Sequence, residues 1–136
     1  MTMPTNRQIH VLIVDPYPEF FARLDEMFSN YFPQSATTTT STSTTSAYQL
    51  LQQQHFDLII VKNMQKDDST LSFCGALRQL PNYVKTPLLM LSTQTTTAKR
   101  LSGFATGIDD YVVSPIDERL LVSRIRLLCR LHGFSI

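Results

Sequence analysis

Long apolar runs, cysteine clusters, glycine loops and an excess of either charge are all missing from this chain, and each absence removes a class of function. No apolar run approaches the ~20 residues that a membrane span needs. The N-terminus Met1–Arg7 is polar, and the run Ile9–Val14 is too short and too close to Asp15 for a secretory signal. Lys and Arg number 12 against 11 Asp and Glu, so a net charge of +1 gives no footprint for nucleic acid or an anionic membrane. Two cysteines, Cys74 and Cys129, stand far apart and make no disulfide framework; they read as small core hydrophobes in a reducing, cytoplasmic setting. His10, His55 and His132 are equally scattered, which leaves no zinc spacing and places no general base for a nucleophilic triad. The four glycines (Gly75, Gly103, Gly107 and Gly133) form no phosphate-cradling loop, and none follows the first apolar run. A single domain spanning residues 1–136, with no cofactor and no metal, is the expectation.

What is present is an alternation of periods. The runs Ile9–Val14, Leu58–Val61 and Pro87–Leu91 are β-branched or Leu-rich, as in strands buried on both faces. Between them the period turns helical. Phe20, Leu24, Met27, Phe28 and Tyr31 form one stripe that Pro33 cuts off, with Pro18 and Glu19 suited to its first turn. A second helix is expected from Ser46, as N-cap, to about Gln54, and a third with Phe73, Ala76, Leu77 and Leu80 on one side. A fourth is expected around Ala98–Thr106, closed by a left-handed Gly107. The last starts near Asp117–Glu118, buries Leu121, Ile125, Leu128 and Cys129, and follows a strand at Tyr111–Val113.

The tract Ser35–Ser46 is Ser or Thr at every position except Ala36. It reads as an edge strand near Ala36–Thr40 followed by a mobile loop, because alternation requires a strand there and Thr is a good strand residue. Five strand–helix repeats predict a doubly wound α/β fold, a five-stranded parallel sheet in the order 2-1-3-4-5. Its crevice lies at the carboxyl ends of the strands: Asp15 and Pro16, Lys62 and Asn63, Ser92 and Thr93, Ser114 and Pro115.

The segments VLIVDP (Val11–Pro16), FDLIIVK (Phe56–Lys62), TPLLMLST (Thr86–Thr93) and GIDDYVVSPID (Gly107–Asp117) resemble the receiver domain of two-component response regulators, over roughly residues 8–131. The resemblance implies the flavodoxin-like receiver fold. It also implies a phosphorylation site, which the residues meet only in part. Receivers end strand one with two acids that hold Mg²⁺; here the first is kept as Asp15, and Pro16 stands in place of the second. Strand three ends in the aspartate that accepts the phosphoryl group, and Lys62 stands at that position. Ser92 fits the hydroxyl of strand four, Tyr111 fits the aromatic switch residue, and Ser114 replaces the lysine of the Lys-Pro pair while Pro115 is kept. The expectation is a degenerate site (Asp15, Pro16, Lys62, Ser92, Ser114) in a pseudo-receiver without aspartyl phosphorylation or Mg²⁺ dependence. Lys62 is expected to reach Asp15 and form an ion pair in the place of the metal, and Ser114–Pro115 to be cis. Ser92 and Tyr111 mark the switch positions, with Tyr111 read as fixed packing.

Function then falls to surfaces. In the resembled family, the face of the fourth helix, fifth strand and last helix mediates dimerisation and output contacts; here it would carry Arg100, Asp109, Asp110, Arg119, Arg124 and Arg126. Asp109–Tyr111 with Arg124 resemble dimerising receivers of winged-helix transcription factors, although Leu120 replaces their glutamate. Ser114–His132 resembles receivers attached to diguanylate cyclases. The expected role is a phosphorylation-independent interaction or dimerisation module that takes a protein partner or output domain. It would be free-standing or the N-terminal regulatory part of a longer response regulator. Three alternatives remain: a sensor binding a small anion or metabolite in the neutralised crevice, phosphotransfer through a displaced Asp67 or Asp68, and Lys62 as a Schiff-base amine.

Overall fold

The computed structural model describes residues 8–63, 69–92 and 106–136. Strand β1 (Ile9–Val14) alternates Ile9, Val11 and Ile13 on one face with Leu12 and Val14 on the other, and all five are buried. A strand apolar on both faces must lie in the middle of a covered sheet, and β1 does. It pairs in parallel with β2 (Ala36–Ser41) on one side and β3 (Leu58–Asn63) on the other. Beyond β3 come β4 (Leu88–Ser92) and β5 (Asp110–Val113), giving the expected order β2-β1-β3-β4-β5.

Helices α1 (Pro18–Tyr31) and α4 (Glu118–Leu131) cover one face; α2 (Thr44–Gln53) and α3 (Ser69–Gln79) cover the other. Helix α1 starts with Pro18 in its first turn and ends at Phe32, whose N–H reaches the Phe28 carbonyl before Pro33 stops the ladder. The N-cap of α4 is Asp117, whose carboxylate accepts the N–H groups of Arg119 and Leu120. Its Leu121, Ile125, Leu128 and Cys129 are buried as their spacing requires.

Two expectations shift. The strand β2 is present, but no long loop follows it: α2 is capped by Ser43, whose hydroxyl accepts the Ser46 N–H at 3.1 Å, and not by Ser46. In a tract where every side chain but that of Ala36 carries a hydroxyl, several caps are chemically equal, and packing of Ala47 and Leu51 against the sheet decides the register. The helix expected at Ala98–Thr106 falls, apart from Thr106, outside the described residues. Gly107 does adopt a left-handed φ of 100°, and a Cβ there would meet the Arg78 side chain at 2.8 Å.

Candidate functional site

The sheet registers bring the expected strand ends together. Val14 pairs with Val61, so Asp15 and Lys62 come next on adjacent strands; Asn63 pairs with Ser92, and Ser92 with Val113. Asp15 is 0% exposed. Its backbone N–H donates to Ser41 O at 2.9 Å, and its Oδ1 accepts the Tyr17 N–H at 2.8 Å. Its Oδ2 is buried without a hydrogen-bond partner among the described residues. Burial pushes the carboxyl above its ordinary value, while the Tyr17 N–H and the Lys62 charge pull it partly back.

Lys62 does not close the expected ion pair. Its Nζ sits 3.5 Å from the centroid of the Phe20 ring, with the Tyr17 ring at 5.9 Å. The attraction to Asp15 acts through space, and the ammonium rests on ring faces instead. The reason is local. Pro16 lets the chain turn directly into α1, and the first turn of that helix presents two aromatic rings to the end of β3. A ring face attracts a cation without stripping all of its hydration, whereas contact with the buried Asp15 would require it. Tyr17 and Phe20 are thus part of the site. Only their closeness in sequence to Asp15 could have signalled it.

Ser92 is buried at the end of β4, and its carbonyl accepts the Ser114 N–H at 2.9 Å. The Ser114–Pro115 peptide is cis. Tyr111 is half-buried and packs against the core cluster that includes Met90 and Ile108. Asp67, Asp68 and Thr93 lie outside the described residues.

These strand ends do not suit Mg²⁺. The ion asks for six oxygens in octahedral array, commonly from more than one carboxylate. Here Asp15 Oδ2 is the one unengaged carboxylate oxygen among the described strand ends, Pro16 adds none, and Lys62 brings a positive charge. Among the described residues no three His, Cys, Asp or Glu side chains are grouped to hold a metal.

The expected interaction residues separate. Asp110 and Arg124 come together, 3.5 Å apart, where β5 meets α4. Asp109 instead accepts the Leu88 N–H at 2.8 Å and pairs with Arg78 at 3.0 Å. Arg78 also donates to the carbonyls of Tyr83, Thr86 and Gly107, a clamp that ties α3 to the opposite end of the sheet. Arg126 turns to the other flank of α4, with its guanidinium 5.1 Å from the Phe32 ring. Arg119 is exposed in the first turn of α4, and Arg100 is outside the described residues. Beside Arg124, α4 exposes Leu120, Leu127 and Leu131 at 44%, 46% and 70%. These fall on one side of the helix, away from its buried stripe, and a charge-based reading passes over them. No described helix is long and apolar enough to cross a membrane.

Comparison with known proteins agrees with the geometry. The family model for the response regulator receiver domain matches residues 11–126. Over 80 residues the chain is 36% identical to the phosphate regulon transcriptional regulatory protein PhoB of Rhizobium meliloti, covering 59% of this chain and 35% of that protein. It is 39% identical over 74 residues to the alkaline phosphatase synthesis transcriptional regulatory protein SphR of Synechococcus elongatus, covering 54% and 28%. The chain thus spans about a third of the length of these relatives. Among solved structures, the Vibrio cholerae chemotaxis protein CheY4 superposes with a TM-score of 0.80 at 24% identity, covering 89% of this chain and 98% of that one. The Francisella response regulator 1452 receiver domain superposes at 0.76 and 22%, covering 92% and 99%. The fold, the register of the strand ends and the matched span lead to one conclusion: this chain belongs to the response regulator receiver domain family.

Proposed function

We propose that this receiver signals without aspartyl phosphorylation and acts through protein–protein contact or dimerisation, as a regulatory module of a longer response regulator. The observation that carries the reading is Lys62 at the end of β3, beside the buried Asp15 and held over Phe20. Forming an acyl phosphate needs a carboxylate oxygen to attack phosphorus, with a cation neutralising the oxygens around it. A protonated amine has no lone pair for that attack, and its charge disfavours a divalent ion nearby. Lys62 thus stands where the acceptor would be and offers no oxygen to phosphorylate.

Contact surfaces then carry the signal. The β5–α4 face supports this reading, with the Asp110–Arg124 pair beside the exposed Leu120, Leu127 and Leu131. Isolated exposed ion pairs are worth little, whereas apolar side chains beside a pair give a partner or a second copy something to bury. Amide NMR spectra recorded alone, with Mg²⁺, and with Mg²⁺ plus beryllofluoride test the proposal. Unmoved signals at Asp15, Lys62, Ser92 and Tyr111 are expected. Shifts with both reagents would restore conventional phosphotransfer chemistry, and shifts with inorganic phosphate alone would make the crevice an anion sensor.

A further inference from the structure

The Ser/Thr tract has no part in the crevice or in the β5–α4 face, yet it builds one whole edge of the sheet. All six residues of β2 pair with β1 in unbroken parallel register, and among the described residues no strand lies on the outer side. The carbonyls of Ser35 and Ser41 accept from Ile9 and Asp15. Backbone groups alternate along a strand, so the odd-numbered residues turn theirs to β1, while Ala36, Thr38 and Thr40 turn N–H and C=O outward.

Such an edge is a template for pairing, and proteins usually blunt it with a charge, a proline or a bulge. The sequence ATTTTS has none of these. The lack of charge extends well beyond the strand: from Met27 to Phe56 there is no Asp, Glu, Lys or Arg, a span covering the end of α1, β2 and α2. The nearby Asp25 is engaged, its Oδ1 accepting the Thr38 hydroxyl at 2.6 Å.

We propose that the outer edge of β2 pairs with β2 of a second copy of this chain, antiparallel about a two-fold axis, joining two five-stranded sheets into one. Two-fold symmetry sets the same surface against itself, so a strand with no charge opposes no like charge. Threonine opposite threonine is a favourable cross-strand pair. A charged partner strand would find no complementary charge on β2 itself, and the nearby carboxylate, Asp25, already accepts the Thr38 hydroxyl. The edge lies across the sheet from β5, so this contact neither uses nor blocks the β5–α4 face.

The test is sedimentation of the full chain across a wide concentration range, with amide exchange read at single residues. Dimerisation on concentrating is expected, with slowed exchange at Ala36, Thr38 and Thr40 and little change at the inward Thr37 and Thr39. Thr40→Pro deletes one outward N–H and leaves the β1 ladder intact, and Thr40→Lys sets a charge on the edge. Both variants should stay monomeric, and at concentrations where the wild type is also monomeric they should share its urea midpoint; should the proline disturb folding, the lysine variant decides. Added salt should leave the wild-type dimer unchanged or tighter, since no ion pair holds it. A wild-type chain that remains monomeric throughout overturns the proposal. So does association that survives Thr40→Lys, or that is lost in Arg124→Glu instead, which would place it on the β5–α4 face.

Discussion

Asp15→Asn should make this protein more stable at neutral pH, although it removes an acid from the centre of the site. The Asp15 carboxyl is fully buried, one oxygen is engaged by the Tyr17 N–H, and the other has no partner among the described residues. In the folded chain its pKa lies above the ordinary 3.8, chiefly through burial. The native state therefore holds the Asp15 proton over a pH range in which the unfolded chain has already released it. Stability from this group is greatest below 3.8, falls as pH rises towards the raised native value, and stays low above it. Asparagine keeps the acceptor for Tyr17 and carries no charge to desolvate. Leaving a buried polar group unsatisfied costs about 1–3 kcal/mol, and the uncharged amide retains part of that cost, so a gain of about 1 kcal/mol is expected at pH 7.5. The assay is urea unfolding of both proteins from pH 3 to pH 8. The gain should shrink to near zero at the acid end, where Asp15 is protonated in both states. A variant less stable than wild type at pH 7.5, or an offset that ignores pH, refutes the reasoning. Either would mean that a cation, Lys62 included, compensates the carboxylate directly.

Other changes separate the parts of the site and its frame. Phe20→Leu should free the Lys62 ammonium from the ring and cost about 0.5–1 kcal/mol in urea unfolding; no loss would mean the contact is incidental. Lys62→Met should raise the Asp15 carboxyl further, because the Lys62 charge now pulls it down, as a carboxyl-carbon NMR titration would read. Arg78→Lys, which cannot reproduce the fork onto Gly107, Thr86 and Asp109, should lower stability by about 1–3 kcal/mol in the same unfolding assay. Burial pushes the Cys74 and Cys129 thiols up to about 12, so neither should react with a thiol reagent at pH 8 until urea unfolds the chain.

How far the sequence reaches depends on what each residue must satisfy. The strands were legible because burial on both faces leaves continuous apolar runs, as in Ile9–Val14 and Leu88–Ser92. The last helix was legible because Asp117 and the stripe Leu121–Ile125–Leu128 point to one register. The start of α2 was not, since Ser43 and Ser46 offer the same cap chemistry and tertiary packing chooses between them. Strand order placed Asp15, Lys62 and Ser92 side by side, yet it could not say where a long flexible lysine rests. That depends on the rings of Tyr17 and Phe20, which the following helix brings over the strand end. The resemblance to receivers grouped Asp109 and Arg126 with Arg124 on one face, but Arg78 and Phe32, distant in sequence, draw them elsewhere.

Intact-mass spectrometry after incubation with acetyl phosphate and Mg²⁺ decides whether this receiver, as proposed, lacks a phosphoryl acceptor. An unchanged mass is expected for the wild type under conditions that label an ordinary receiver run beside it. A phosphoryl adduct on the wild-type chain, removed by hydroxylamine as an acyl phosphate would be, contradicts the proposal and would direct the search to Asp67 and Asp68.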